Sequence, residues 1–266
     1  MTIAARLIRD RRWSTLWWAL GFVGLTLFTV ALYPSIKDQP SFDELLADLP
    51  DAFRSVIGYD TAVPLRSPAG YLQARLFSTL APLLAVVFGI GAGARAIGGS
   101  EEAGTLELLL ANPVTRGRVL LERYLATFGL LAGLVTVFGL TLLVLGPPFG
   151  ALEGVPTGHV IAACAAVFAL GLLHGTLAFT VGAVAGRRGV AVALATAVAV
   201  AGYLVETVLA VAGDLSIVRQ LSPWHWYLDR NLLAEGAASA AVVVPLAISA
   251  VLVGVAGAMF RRRDLR

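Results

Sequence analysis

Three histidines, one cysteine and a glutamate inside an apolar run are the side chains here that could bind a metal, attack as a nucleophile or relay a proton. Their spacing argues against each role. His159, His174 and His225 are far apart, with no second ligand at metal-binding distance along the chain. His174 lies mid-way along an apolar run and reads as a hydrogen-bonded residue of a helix bundle, or as one lining a path through it. Cys164 is the sole cysteine, so it has no internal disulfide partner and reads as inert packing. No Gly-x-Ser-x-Gly elbow, no His-Glu-x-x-His run and no paired intramembrane aspartates occur, which removes hydrolase and intramembrane protease chemistry. Lys37 is the only lysine among twenty basic residues, so Gly-Lys-Ser/Thr, the core of a phosphate-binding P-loop, is absent. Glu206 is the one acidic residue deep in an apolar run. A mid-bilayer charge costs about 2.5 to 3.5 kcal/mol on insertion scales. Near the outer end of its helix, Glu206 reads either as a path residue or as an interfacial charge.

The apolar runs themselves set the class. Of 266 residues, 58% are hydrophobic and only 14% charged, at a mean hydropathy of +0.82. Soluble domains carry about a quarter charged residues. This is the composition of an all-α integral membrane protein in a lipid bilayer. The net charge of +3 is small and its arginines are scattered among short loops, which speaks against nucleic-acid binding.

One charged interruption organises the rest: residues 100–121 and the start of the next helix, reading S-E-E-A-G-T-L-E-L-L-L-A-N-P-V-T-R-G-R-V-L-L. Ser100 has the chemistry of an N-cap, which would place Glu101 and Glu102 in the first turn, where the helix dipole favours negative charge. Leu106, Leu109 and Leu110 follow at helical spacing as an apolar ridge, and Pro113 should end the helix. The expectation is one short helix across the mouth of two membrane helices, offering three leucines outward. A lipid-surface helix would carry basic residues on its polar face, whereas this one carries Glu101, Glu102 and Glu107. A protein partner suits it better.

The run Glu101-Glu102-x-Gly104-Thr105-Leu106-Glu107-Leu108-Leu109-Leu110-x-x-Pro113-Val114-x-Arg116 resembles the cytoplasmic coupling helix of type-2 ABC exporter permeases. Arg123 stands where that family often has lysine. Leu221-Ser222-Pro223-Trp224 resembles the family's L-S-P-aromatic turn before the last helix. The resemblance implies a permease subunit without its own nucleotide site, paired with a second permease subunit, identical or paralogous. Two ABC ATP-binding subunits would dock below it and carry ATP and Mg. It assigns coupling to Glu101, Glu102, Gly104, Thr105, Leu106, Glu107, Leu109, Leu110, Pro113 and Arg116. A stand-alone secondary carrier or channel would need buried carboxylates or broken helices at mid-membrane. A membrane anchor that recruits a cytosolic protein would need the same helix but no path.

Taken in order, arginine-rich residues 1–12 read as an interfacial helix, followed by spans at about 13–33, 76–97, 122–145, 159–185, 190–212 and 238–260 in a single transmembrane domain. The first reads as a retained helix and not as a cleaved signal. Both termini then lie on one side. That side, with the 2–3 and 4–5 connections, holds fourteen of the twenty basic residues. The positive-inside rule makes it cytoplasmic, in a prokaryotic cell membrane. The excursion 34–75 includes an amphipathic stretch, Ser41 to Gly58, with a capping box at its start. Its apolar face, with Leu46 and Phe53, reads either as a cap over the exit of a path or as a helix on the outer leaflet.

Overall fold

The computed structural model describes residues 3–37, 63–111, 113–212, 219–236 and 239–262, without the side chains of Leu108, Leu110 and residues 208–212. The stretch around Leu46 and Phe53 therefore lies outside the described residues. So do Asn112 and the basic tail beyond Arg262.

Among the described residues the chain is helical and has no strand. In order the helices are α1 (Ile3–Lys37), α2 (Pro68–Ala96), α3 (Gly98–Glu102), α4 (Thr105–Leu110), α5 (Arg116–Leu145), α6 (Thr157–Ala185), α7 (Arg188–Ala212), α8 (Pro223–Leu228), α9 (Leu232–Glu235) and α10 (Ser239–Arg262). Helices α1, α2, α5, α6, α7 and α10 are long and apolar enough to cross a membrane. The fold is thus all-α with six spans, as composition and run lengths indicate.

The ends of the helices differ from the sequence reading in informative ways. No glycine or proline falls between Ile3 and Leu20, so the arginine-rich start and the first span join into one 35-residue helix. At 1.5 Å per residue that is about 52 Å, well beyond the roughly 30 Å hydrocarbon layer. Its first turns must therefore project out of the apolar layer. Helix α2 begins earlier than expected, at Pro68, where Ser67 accepts the Gly70 N–H as N-cap. It passes through a π-helical stretch, Gln73–Leu80. Such wide turns release carbonyls from the regular ladder, and here the Phe77 carbonyl accepts the Tyr227 hydroxyl from α8.

Helix α6 is the centre of the bundle, packing on α2, α10, α7 and α5, while α1 packs on α5. The apolar windows of α2 and α6 are each 67% buried, against 22% in α7 and 17% in α10. Glycine explains the closeness of α2 to α6. A Cβ built on Gly89 would lie 2.4 Å from the Gly171 carbonyl oxygen, and one on Gly93 would lie 2.2 Å from that of Gly175. Small residues let backbones touch where lipid supplies no hydrophobic drive between helices. The Gly129/Gly133 pair has the same spacing but nothing within 4 Å, so it faces open space. Aromatic rings fill the remaining core: Phe138 meets Phe22 at 5.7 Å and Phe77 at 5.4 Å between centroids.

Candidate functional site

The connection between α2 and α5 is two short helices and not one. Helix α3 follows α2 after a single residue, Ile97, and ends at Ala103. Gly104 then turns with φ of 65°, a conformation glycine adopts without penalty, and α4 runs from Thr105 to Leu110. The leucine spacing alone predicts one helix, and the left-handed turn at Gly104 is what divides it. Ser100 is consequently not an N-cap. It sits inside α3, its hydroxyl shared between the carbonyls of Arg95 and Ala96, both at 3.4 Å.

Two of the three ridge leucines, Leu106 and Leu109, are turned into the protein and not outward as expected, and the Leu110 side chain lies outside the described residues. Leu106 is fully buried in the protein core, and Leu109 is half-buried beside Ile3 and Leu7 of α1. Ile3, Leu7 and Leu109 line one cavity, so this side of α4 looks toward α1. That leaves Glu102, Gly104, Thr105, Glu107 and Pro113 exposed, with Glu101 and Arg116 half-exposed. Among the described side chains, those exposed on this segment are mainly acidic, polar or small.

Three attachments hold the segment to the bundle. Arg123, only 7% exposed, donates through Nη1 to the Ala96 carbonyl and the Ser100 hydroxyl, fastening α5 to the α2–α3 junction. Glu102 Oε1 accepts the backbone N–H of Arg188 at 3.0 Å, placing a carboxylate on the first turn of α7. Thr105 donates to the Ser100 carbonyl at 3.0 Å across the break. Nearby, Glu122 Oε2 accepts the N–H groups of Ile3 and Ala4 while its other oxygen accepts from Arg118. Both α1 and α7 therefore start against a carboxylate, which suits their unpaired N–H groups and positive dipole ends.

At the other end of the bundle, the Leu221–Trp224 turn is pinned to α7. Ser222 accepts the Trp224 N–H as N-cap and donates its hydroxyl to the Gly202 carbonyl. Trp224 Nε1 donates to the Ala199 carbonyl at 3.0 Å. Glu206 is 7% exposed and paired: Arg219 Nη2 lies 2.7 Å away and His225 Nδ1 lies 3.2 Å away. Donating hydrogen bonds to the Glu206 carboxylate raises Arg219 above its already high value. His174 is buried, with Nδ1 on the Leu170 carbonyl at 3.0 Å, Nε2 without a partner, and the Trp224 ring 6.2 Å away. His174 and Glu206 thus flank the same tryptophan turn from α6 and α7. His159 is on the Leu233 carbonyl. Among the described residues no three His, Cys, Asp or Glu side chains gather as a metal site.

Between these two ends runs an apolar groove of about 420 Å³ bounded by α2 and α7, with Val86, Ile90 and Leu83 on one wall and Val192, Val200 and Leu204 on the other. Arg188 stands at its mouth, and Tyr203 and Trp224 lie toward its far end. The sequence reading did not single out this wall. The aromatic density of residues 203–227 was the available signal. A family model described as ABC-2 family transporter protein matches residues 1–265. No curated protein matches the chain.

Proposed function

Because the chain belongs to the ABC-2 family of transporter proteins, we propose that this multi-pass membrane protein is the permease subunit of an ATP-driven exporter. Its energy comes from a separate ATP-binding subunit, which holds ATP and Mg and docks on the α3–α4 segment. Six spans supply one wall of a path, and a second permease subunit, identical or paralogous, supplies the other. The membrane is a prokaryotic cell membrane, with both termini and α3–α4 in the cytoplasm. The support is the basic side chains that gather at this end, fourteen of twenty in the sequence.

One observation carries this reading: α3–α4 is bonded at once to α2, α5 and α7, and the apolar groove lies between α2 and α7. A push on the exposed face of α4 reaches α2 directly through Ile97 and reaches α7 through Glu102. The two walls of the groove then shift relative to each other. The contact surface for the ATPase is acidic, formed by Glu102, Glu107 and Thr105, with Leu106 as its buried support and Leu109 on the cavity beside α1. The groove lining favours a substrate with an apolar body. Segment 41–58, with Leu46 and Phe53, would cap the exit. Residues of this chain perform no bond chemistry.

The test is co-purification of the ATP-binding subunit with the parent chain and with Glu107→Arg. Loss of the partner in the variant, with membrane insertion intact, supports the docking surface. Equal recovery and equal substrate-stimulated ATPase activity would remove it.

A further inference from the structure

Two cavities of about 410 Å³ each adjoin at the base of the bundle, sharing Arg11, Ser100 and Thr105 in their walls. Five guanidinium groups line them: Arg6, Arg11, Arg95, Arg123 and Arg188. Two carboxylates face these five. Asp10 is exposed, and Glu102 has an oxygen on the Arg188 backbone N–H. None of Arg11, Arg95 and Arg188 forms an ion pair among the described residues. Arg123 is 93% removed from solvent, yet its Nε has no hydrogen-bond partner. The stems of Arg95 and Arg188 flank Gly99 so closely that a Cβ there would touch each at 3.5 Å. Five guanidinium groups against two carboxylates, with an unpaired donor on the buried Arg123, make a cationic site for an anion with several oxygens.

The depth of the site identifies the source of that anion. Arg11 faces inward, while Trp13 and Trp17, one half-turn and nearly two turns further along α1, are 66% and 72% exposed on the outer surface. Arg12 lies over the Trp13 ring, 5.7 Å from its centroid. Exposed tryptophans of this kind mark the headgroup level of a bilayer. The cavities therefore open where lipid phosphates lie. Basic pockets between spans at that level suit anionic headgroups.

We propose that this arginine-lined site binds the phosphate of an anionic phospholipid headgroup, which bridges α1, the end of α2 and the start of α7 beneath the α3–α4 segment. The bound phosphate neutralises the mutual repulsion of the arginines. It also ties to α1 and α2 the same first turn of α7 that Glu102 holds.

The experiment uses the full chain purified in a mild detergent. Native mass spectrometry counts phosphatidylglycerol retained from the membrane, and a thermal shift is measured on adding phosphatidylglycerol, phosphatidylcholine or inorganic phosphate. The parent should retain phosphatidylglycerol and be stabilised by it selectively. Arg11→Gln with Arg95→Gln should weaken that response by about tenfold or more, while Arg262→Gln, at the exposed end of α10, should leave it unchanged. No retained anionic lipid on the parent overturns the proposal without reference to any variant. So does equal stabilisation by phosphatidylcholine, and equal stabilisation by inorganic phosphate refutes the lipid assignment. Loss of bound lipid from the parent when the ATP-binding subunit is present would assign the site to an acidic group of that partner, and also overturns it.

Discussion

Replacing Gly93 by alanine adds one methyl group at the closest approach of α2 to α6. The new carbon would sit 2.2 Å from the Gly175 carbonyl oxygen, whereas ordinary contact begins at 3.4 Å. The obstacle is backbone on a central helix, so no side chain can swing aside, and the helices must part locally by about 1.2 Å. A gap of 0.5 to 1 Å already forfeits a quarter to a half of each dispersion contact around it. Overpacking of this kind costs about 1 to 3 kcal/mol, set against a helix-propensity gain of about 1 kcal/mol for alanine over glycine. The net change is a loss of about 0 to 2 kcal/mol, and about 1 to 3 kcal/mol relative to an alanine placed where nothing obstructs it, because both share the propensity gain. Gly129→Ala is the control, because nothing lies within 4 Å of the added carbon. It should be neutral or slightly stabilising. Reversible unfolding by sodium dodecyl sulfate in mixed micelles, followed by tryptophan fluorescence, measures both. If Gly93→Ala and Gly129→Ala agree within about 0.5 kcal/mol, the two helices are not in the contact described here.

Glu102→Gln leaves an oxygen for the Arg188 N–H but removes the charge at the α7 start, so it should keep the fold and reduce coupling of ATP hydrolysis to transport less than Glu102→Ala does; equal effects would deny that link. Ser222→Ala removes an N-cap and the Gly202 hydrogen bond together and should lower unfolding free energy by about 1 to 2 kcal/mol, read in the same micelle assay. Glu206→Gln should cost more, about 1 to 3 kcal/mol, because it strips the counter-charge from Arg219. Arg219 is raised in the folded chain, so its contribution is fully present below its ordinary value and is lost only at more alkaline pH; stability from this arginine should be flat between about pH 6 and 9, and a loss across that window would refute the pairing. Single cysteines on a Cys164→Ala background test the topology: Ala111→Cys should react with an impermeant thiol reagent only from the cytoplasm, and Glu153→Cys only from outside.

Run length and composition were enough to read six spans, because a bilayer demands about 20 apolar residues and little else satisfies it. The Ser222 turn was legible as a motif, and its N-cap bond gives the motif a physical reason. Two things were not legible. The spacing of Leu106, Leu109 and Leu110 defines an apolar face but not which way it looks, and only the tertiary fold shows that Leu106 and Leu109 are turned inward. Glu206 reads along the chain as a lone charge, because its partner Arg219 is thirteen residues further on. The three Gly-x-x-x-Gly pairs Gly129/Gly133, Gly171/Gly175 and Gly182/Gly186 are equivalent on paper as well. Gly171/Gly175 meets α2, and Gly129/Gly133 meets nothing.

The α2–α6 contact also has a consequence for biosynthesis. Helix α2 leaves the ribosome long before its partner, since α6 begins roughly 60 residues after α2 ends. At about 5 to 20 residues per second, α2 waits some 3 to 12 seconds in the insertion machinery with its glycine stripe and Arg95 uncovered. Helix α1 waits likewise for α5. Consecutive spans α2 and α5 do touch, but the tightest contact of α2 can form only once α6 has been made, so the final packing of the early helices is set late in synthesis.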